Sequence, residues 1–167
     1  LEAFEETWPE VSRAMPWINP DKPFLEQIKS FLQETERMGR SGLMHHWVMI
    51  RPWDETLLGL IGFDNITRTS EAKWNLGYWV RSSEQRHGFA KKSINATLGW
   101  LGAVEEVIVE LKVDPMNLAG VNTVSQTVSN WNGERNISGD SAVTVAGVRT
   151  LHHCHLVVTN PKSTEIM

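Results

Sequence analysis

The stretch GYWVRSSEQRHGFAKKSINATLGWL, residues 77 to 101, places a strand pattern, a short loop and a helix pattern in direct succession. The strand continues an alternation of large apolar residues on one side, namely Trp74, Leu76, Tyr78 and Val80. The helix pattern consists of apolar residues at helical spacing, namely Ala90, Ile94, Leu98 and Leu101. Gly88 stands where the helix begins, so the stretch predicts a β-turn-α unit with a backbone that a ligand can approach closely.

The loop of this unit is basic, although the chain as a whole has a net charge of -4. A single acid, Glu84, stands among five basic residues: Arg81, Arg86, His87, Lys91 and Lys92. Cations at a helix N-terminus oppose the helix dipole, so a bound anion explains them better than helix stability does. Neither the dinucleotide pattern GxGxxG nor the Walker pattern GxxxxGK[ST] occurs in the chain. The loop therefore favours a phosphate-bearing ligand outside those two classes.

Composition sets limits on the class of protein. The 167 residues, 41% hydrophobic and 22% charged, fit one globular domain over residues 1–167. The sequence has no apolar run long enough for a membrane span and no signal-peptide pattern at its start. The negative charge argues against a surface built for nucleic acid. One cysteine, Cys154, excludes an internal disulfide and fits a reducing compartment, so a cytoplasmic location is expected.

The periodicity along the chain predicts a mixed α/β domain. Two helical patterns come first, around Phe4 to Met15 with Pro9 as a break or kink, and from Phe24 to a stop at Gly39. Three strands then form an antiparallel meander from Leu43 to Val80. Beyond the 88–102 helix, a strand over 107–113, a weak helix, a hairpin or loop and a last strand LHHCHLVV complete the order.

These residues resemble the acyl-CoA-binding core of the GNAT N-acetyltransferases, in particular the branch that acetylates ribosomal-protein N-termini. The pyrophosphate loop [Q/R]-x-x-G-x-[G/A] of that family is matched by Gln85, Gly88 and Ala90. LLGLIGF resembles the family's third strand, and GYWV resembles the strand that separates from its neighbour to admit the cofactor. VDPMNLAG resembles the family's V-x-P-x-N-x-x-S. The resemblance implies a central, mostly antiparallel twisted sheet flanked by helices, without the family's first strand, which leaves an exposed sheet edge.

The resemblance implies an enzyme that transfers an acetyl group from acetyl-CoA to a primary amine, by direct attack and without a metal. The amine belongs either to a protein N-terminus or to a small molecule, and whether the chain forms a homodimer stays open. The expected cofactor-binding residues are Trp79, Val80, Arg81, Gln85, Arg86, His87, Gly88, Phe89, Ala90, Lys91 and Asn117. A backbone N–H near Trp79 or Val80 is expected to stabilise the oxyanion.

The catalytic residues are not marked by a motif. Gly120 replaces the serine of N-x-x-S, and Asn75 replaces the usual acid before GYW, so a non-catalytic CoA-binding domain is the alternative function. The candidates for catalysis are Ser125, His153 and His155, and the candidates for an acceptor groove are Trp17 and Trp74. A third alternative is that the basic loop contacts RNA or an acidic protein, which predicts salt-sensitive binding.

Overall fold

The computed structural model describes residues 1–11, 15, 18–19, 21–66, 71–145 and 148–159. Its helices are α1 (Glu2–Val11), α2 (Phe24–Arg40), α3 (Phe89–Val104) and α4 (Leu118–Asn130). Its strands are β1 (Met44–Ile50), β2 (Leu57–Asn65), β3 (Trp74–Val80), β4 (Ile108–Val113), β5 (Glu134–Val145) and β6 (Val148–Val158). This order confirms the predicted mixed architecture.

The strands form one six-stranded sheet in the order β1-β2-β3-β4-β6-β5. All neighbouring pairs are antiparallel except β3 and β4, which are parallel. Within these two fully described strands, pairing is confined to Trp74 opposite Val109 and Asn75 opposite Glu110. Beyond those residues β3 and β4 separate, as the resemblance implied for the strand GYWV.

Helices cover both faces of the sheet. On one face, α3 and α4 bury Ile94, Leu98 and Val124 against apolar residues of the central strands. On the other face, α1 and α2 bury Phe4 and Ile28 against Trp79 of β3. The alternation of side chains along β3 therefore supplies both cores, because successive residues of a strand point to opposite faces.

Local details differ from the sequence-based expectations. Helix α1 continues through Pro9 as far as Val11, and α2 passes Gly39 and ends at Arg40. Leu32 of α2 and Leu118 of α4 stand at helical spacing with other apolar residues, yet their side chains are 53% and 77% exposed. The end of a helix varies by one or two residues, and a pattern along one helix does not show which of its side chains other elements cover.

The edges of the sheet also bear on the predictions. The segment predicted as a hairpin or loop is a long two-stranded hairpin of β5 and β6. Strand β1 is an edge strand, as expected for a sheet without the family's first strand. Its segment Met44–Ile50 holds no Lys, Arg, Asp, Glu or Pro, and Val48 and Ile50 are about half exposed. Strand edges of this kind can pair with another strand.

Candidate active site

The loop between β3 and α3 exposes backbone donors at the helix N-terminus. Gly88 is the N-cap residue, with φ 78° and ψ 9°, and no side chain caps the helix. A Cβ built on Gly88 would meet nothing within 4 Å, so the backbone is open to a ligand here. The left-handed φ explains the glycine, since other residues adopt it at a cost. The uncapped N–H groups and the helix dipole together favour an anion.

Helix α1 holds the start of this loop. Arg81 donates through Nε to Glu6 and through Nη2 to Glu2, both at 2.5 Å. The backbone N–H of Ser83 donates to the other oxygen of Glu6 at 2.7 Å. Hydrogen bonds from Ser83 and from the Arg81 guanidinium lower the pKa of the Glu6 carboxyl. Arg81, expected beside the cofactor, thus has its charge neutralised by α1.

The acid of the loop is neutralised as well, which leaves the loop basic. Both Glu84 oxygens accept from Nη1 of Arg51, at 3.0 and 3.1 Å. Arg86, Lys91 and Lys92 are exposed, and in the described part of the chain none of them forms an ion pair within 4.0 Å. Their charges therefore surround the helix N-terminus without a protein carboxylate to compensate them.

The gap between β3 and β4 presents backbone groups of β3. Arg81 N–H donates to the Leu58 carbonyl of β2 at 2.7 Å. Because backbone groups alternate along a strand, the N–H groups of Tyr78 and Val80 point the other way, towards the gap. Of the two residues expected near an oxyanion, Val80 therefore has its N–H on the gap side, whereas the N–H of Trp79 faces β2.

Side chains on the two sides of the gap link the strand to the helices. Gln85 donates through Nε2 to the carbonyl of Val80 at 3.3 Å and to Glu10 of α1 at 2.5 Å. Burial raises the pKa of the Tyr78 hydroxyl, and the Thr123 side chain of α4 opposes this shift. The sequence analysis missed Tyr78, since it read this residue only as one member of the apolar alternation.

The N-terminus of α4 explains Gly120. The Oδ1 atom of Asn117 accepts from the N–H of Gly120 at 3.0 Å and caps the helix. A Cβ on Gly120 would lie 2.8 Å from Nδ2 of Asn117 and 3.0 Å from a methyl of Val113. Serine at this position would have to displace the cap, so the glycine fits the local packing.

The three catalytic candidates do not come together. Ser125 lies on the exposed side of α4. His153 and His155 pair with Val113 and Leu111, so they share the face of the sheet covered by α3 and α4. Burial, the largest influence, lowers the pKa of His155, whose Nδ1 is buried without a partner among the described residues.

The other candidates occupy the core or lie outside the described residues. Trp74 is 3% exposed in the core under α3, and the prediction for Trp17 lies outside the described residues. Cys154 is fully buried, and burial raises the pKa of its thiol to about 11, so it stays protonated at neutral pH. The described residues contain no cluster of three or more His, Cys, Asp and Glu side chains that could hold a metal ion. None of the described helices combines the length and apolar character of a membrane span.

The parallel strands β3 and β4 separate beside the basic, uncapped N-terminus of α3. This arrangement is the one that defines the class of acyl-CoA-dependent acyltransferases. A family model described as Acetyltransferase (GNAT) domain matches residues 2–130. The chain therefore belongs to the GNAT acetyltransferases, as the sequence predicted, and is an acetyl-CoA-dependent N-acetyltransferase. No curated protein matches the sequence.

Solved structures share this fold at low sequence identity. Ribosomal-protein-S5-alanine acetyltransferase from Vibrio fischeri has a TM-score of 0.72 and 16% identity, over 97% of this chain and 87% of that chain. The acetyltransferase from Salmonella typhimurium that modifies the N-terminal serine of L7/L12 has a TM-score of 0.73 and 13% identity, over 94% and 86%. Mycobacterium smegmatis RimJ in complex with CoA-disulfide has a TM-score of 0.67 and 16% identity, over 94% and 77%.

Proposed function

We propose that residues 85 to 90 hold the pyrophosphate of acetyl-CoA. The observation that carries this proposal is the open, left-handed Gly88 at the uncapped N-terminus of α3. Backbone N–H groups of this loop, including those of Phe89 and Ala90, would donate to the phosphate oxygens. Arg86, His87 and Lys91 are all exposed or at the helix start and would add positive charge.

The pantetheine arm is proposed to lie in the gap between β3 and β4. There the N–H and carbonyl groups of Tyr78 and Val80 can pair with an amide-bearing chain, much as a further strand would. The Val80 N–H would polarise the thioester carbonyl and stabilise the developing oxyanion. Asn117 at the start of α4 would contact the arm from the other side, through the Nδ2 group that the helix cap leaves available. These donors fix the thioester so that a neutral amine can attack it directly.

For the acceptor we propose a primary amine, either the N-terminus of a protein or a small molecule. The first of these is favoured by the acceptors named for two of the structural neighbours, an N-terminal serine and an S5 alanine. At 13% and 16% identity these neighbours support a class of acceptor and no individual one.

The test combines binding and turnover. We expect calorimetry to show binding of CoA, and a thiol-release assay with acetyl-CoA to show turnover on at least one amine. The amine panel comprises short peptides beginning with Ser or Ala and small polyamines. Tight binding of CoA with no turnover on the panel would favour the non-catalytic alternative, which Gly120 and Asn75 motivate. A crystal structure with acetyl-CoA in which the pyrophosphate lies away from residues 85 to 90 would refute the proposed site.

Two further proposals concern the location and the oligomeric state of the protein. We propose a cytoplasmic location, because the one thiol is buried and reduced, and cell fractionation tests it.

A homodimer is proposed through the uncharged edge strand β1, since an unprotected edge favours strand pairing. Sedimentation velocity should then show association that Val48→Lys weakens, and a monomer at all concentrations would contradict the proposed dimer.

A further inference from the structure

We propose that His46 is the general base for the acceptor amine, that Asp64 positions it, and that the amine arrives over Gly77. This inference rests on the proposed function, because it assigns residues to the acceptor side of the same transfer. The pair lies on the face of the sheet covered by α1 and α2, opposite to the face covered by α3 and α4. No sequence motif marks it.

The strand register brings His46 towards the gap. His46 of β1 lies opposite Gly62 of β2, and Gly62 lies opposite Gly77 of β3. A Cβ built on Gly62 would lie 2.1 Å from Cδ2 of His46 and 2.7 Å from its Nε2. The imidazole therefore occupies the space that a side chain at position 62 would fill. Since paired strands are spaced about 4.8 Å apart, the ring lies over β2 and next to β3.

Asp64 fixes the tautomer of this imidazole. Nε2 of His46 lies 2.8 Å from Oδ1 of Asp64. A carboxylate can only accept a hydrogen bond, so the proton of the neutral ring is on Nε2 and Nδ1 keeps its lone pair. The side chains of His46 and Asp64 are 17% and 39% exposed, so both are held and the pair can still be reached from solvent. The Phe31 ring of α2, 5.8 Å away, limits the movement of the imidazole from above.

Gly77 leaves open space between this pair and the gap. Gly77 is exposed, and a Cβ built on it would meet nothing within 4 Å. Further along the same strand, Tyr78 and Val80 carry the N–H groups that face the gap. A primary amine above Gly77 would thus stand between the imidazole and the proposed position of the thioester.

Position 75 explains why the base comes from a neighbouring strand. Asn75 lies between Asp64 and Glu110 in one row of this face. An amide cannot take a proton. Glu110 is 6% exposed, with Lys112 at 3.4 Å and the Cys154 thiol at 3.8 Å, so other groups engage its carboxylate. Asp64, on the open side of the row, is paired with a histidine that can accept the proton.

In the proposed step, His46 deprotonates the acceptor before the acetyl group is transferred. Nδ1 of His46 takes one proton from the ammonium form of the acceptor, and the neutral amine attacks the thioester carbon. The C–N bond forms, the C–S bond breaks, and the electron pair of that bond leaves on sulfur. The second N–H proton goes to the thiolate, and the imidazolium returns its proton to solvent. The products are an amide, a thiol and one proton.

The groups that face the imidazole bear on how its activity as a base responds to pH. On its own face these are Asp64 of β2, Asn75 of β3 and the Phe31 ring of α2. His45, the preceding residue of β1, points to the opposite face, where its ring packs on Trp74 at 5.1 Å. His45 thus provides a matched control from the same strand.

The experiment compares His46→Gln with His45→Gln, using acetyl-CoA and a peptide that the wild type acetylates. At pH 7 we expect His46→Gln to lower kcat about 100-fold and His45→Gln to change it less than about twofold. The deficit of His46→Gln should shrink to less than about fivefold at pH 9.5, because an α-amine with a pKa of about 8 is then already neutral. A deficit that is the same at every pH would mean a structural role and would overturn the proposal, as would full activity of His46→Gln at pH 7.

A second measurement does not depend on turnover. In the protein without ligand, two-bond ¹H–¹⁵N spectra should show His46 as the Nε2–H tautomer, and Asp64→Asn should change this tautomer balance. An Nδ1–H tautomer in the wild type would refute the assignment of the base. If the wild type binds no CoA and acetylates no amine, the proposed function itself fails. If it does both, the His46 comparison alone decides this inference.

The route over Gly77 has its own variant. Gly77→Ala adds a methyl where the structure leaves room, so the fold should be kept, and the KM for the peptide should rise at least about fivefold with the affinity for CoA unchanged. Gly99→Ala is the control, since a Cβ there also meets nothing within 4 Å, but it lies on the exposed side of α3. An unchanged peptide KM in Gly77→Ala would exclude this route.

Discussion

At the scale of single residues, glycines decide where ligands can approach this protein. Gly88 adopts a left-handed φ of 78° with open space beside it, and Gly42 does the same with φ 70°. The two glycines thus have the same backbone requirement, but only Gly88 lies at the proposed pyrophosphate loop. Gly62 differs from both, because the ring of His46 fills the space beside it that a side chain would occupy.

We expect Gly88→Ala to weaken CoA binding at least tenfold, whereas Gly42→Ala leaves CoA binding unchanged. Both variants should lose roughly 1–2 kcal/mol of stability, because alanine is unfavourable in the left-handed region. Calorimetry with CoA and thermal unfolding separate the two effects. Equal CoA affinity for the two variants would show that the loop backbone does not contact the cofactor.

A second residue-scale prediction concerns Gly120. We expect Gly120→Ser to lower the melting temperature, because a Cβ at this position comes too close to Asn117 and Val113. The control is Ala119→Ser, since Ala119 is exposed one position earlier in the same helix turn. A Gly120→Ser variant that is as stable as Ala119→Ser and also gains turnover would show that the family's serine is missing for a functional reason.

At the scale of secondary structure elements, charged side chains hold loops and hairpins to the sheet. In the β5–β6 hairpin, Asp140 sits in the register shift between Asn136 and Ser141. Its Oδ1 accepts from the N–H of Cys154 at 2.9 Å, and its Oδ2 from Arg135 at 2.6 Å. The Arg135 side chain and then the Cys154 N–H lower the pKa of Asp140 to about 2.

The hairpin should therefore loosen only in strong acid. A lowered pKa means that the contribution of Asp140 is complete above pH 3.8, its unperturbed value, and is lost as the pH falls towards about 2. We expect the exchange protection of the Cys154 amide to fall between these values more than that of an amide between β1 and β2. In Asp140→Asn the protection should be lower at pH 7 and almost independent of pH. Parallel acid dependence in the wild type and the variant would contradict this assignment.

Helix α1 and the pyrophosphate loop form a second such pair of elements. Arg81→Gln removes the bonds to Glu2 and Glu6, so the amides of α1 should exchange faster and CoA should bind more weakly. Arg37→Gln is the control, because Arg37 pairs with Glu34 on the exposed side of α2. If Arg81→Gln leaves α1 exchange as slow as Arg37→Gln does, the tether does not hold the helix.

At the scale of the whole molecule, the single thiol reports on global unfolding. Cys154 is fully buried on β6, and its thiol has a raised pKa of about 11. A reagent that modifies thiolates should therefore react with Cys154 only when the sheet opens. Saturating acetyl-CoA stabilises the native state by mass action, so it should slow the reaction about 100-fold at a concentration 100 times its Kd. Rapid labelling of the native protein would contradict the burial of this thiol.

Much of the fold could be predicted from the sequence because its strongest patterns are local. The alternation around Tyr78 and the helical spacing after Gly88 each follow from one element, and the GNAT motif lies within a single β-turn-α unit. The end of α2, the continuation of α1 through Pro9 and the exposure of Leu118 could not be predicted. A pattern within one segment fixes neither the exact end of a helix nor which of its side chains other elements cover.

The sequence by itself determined the family, the acetyl-CoA-dependent reaction and the position of the basic loop, because adjacent residues encode all three. Only the tertiary structure decided which backbone N–H groups face the gap, since strand pairing fixes their direction. Only the folded chain pairs Arg81 with the acids of α1 and Glu84 with Arg51, so that their charges are neutralised. The fold also brings His46, Asp64 and Gly77 to one face of the sheet. The proposed base escaped the sequence analysis for this physical reason: strand register joins three strands whose spacing along the chain carries no signal.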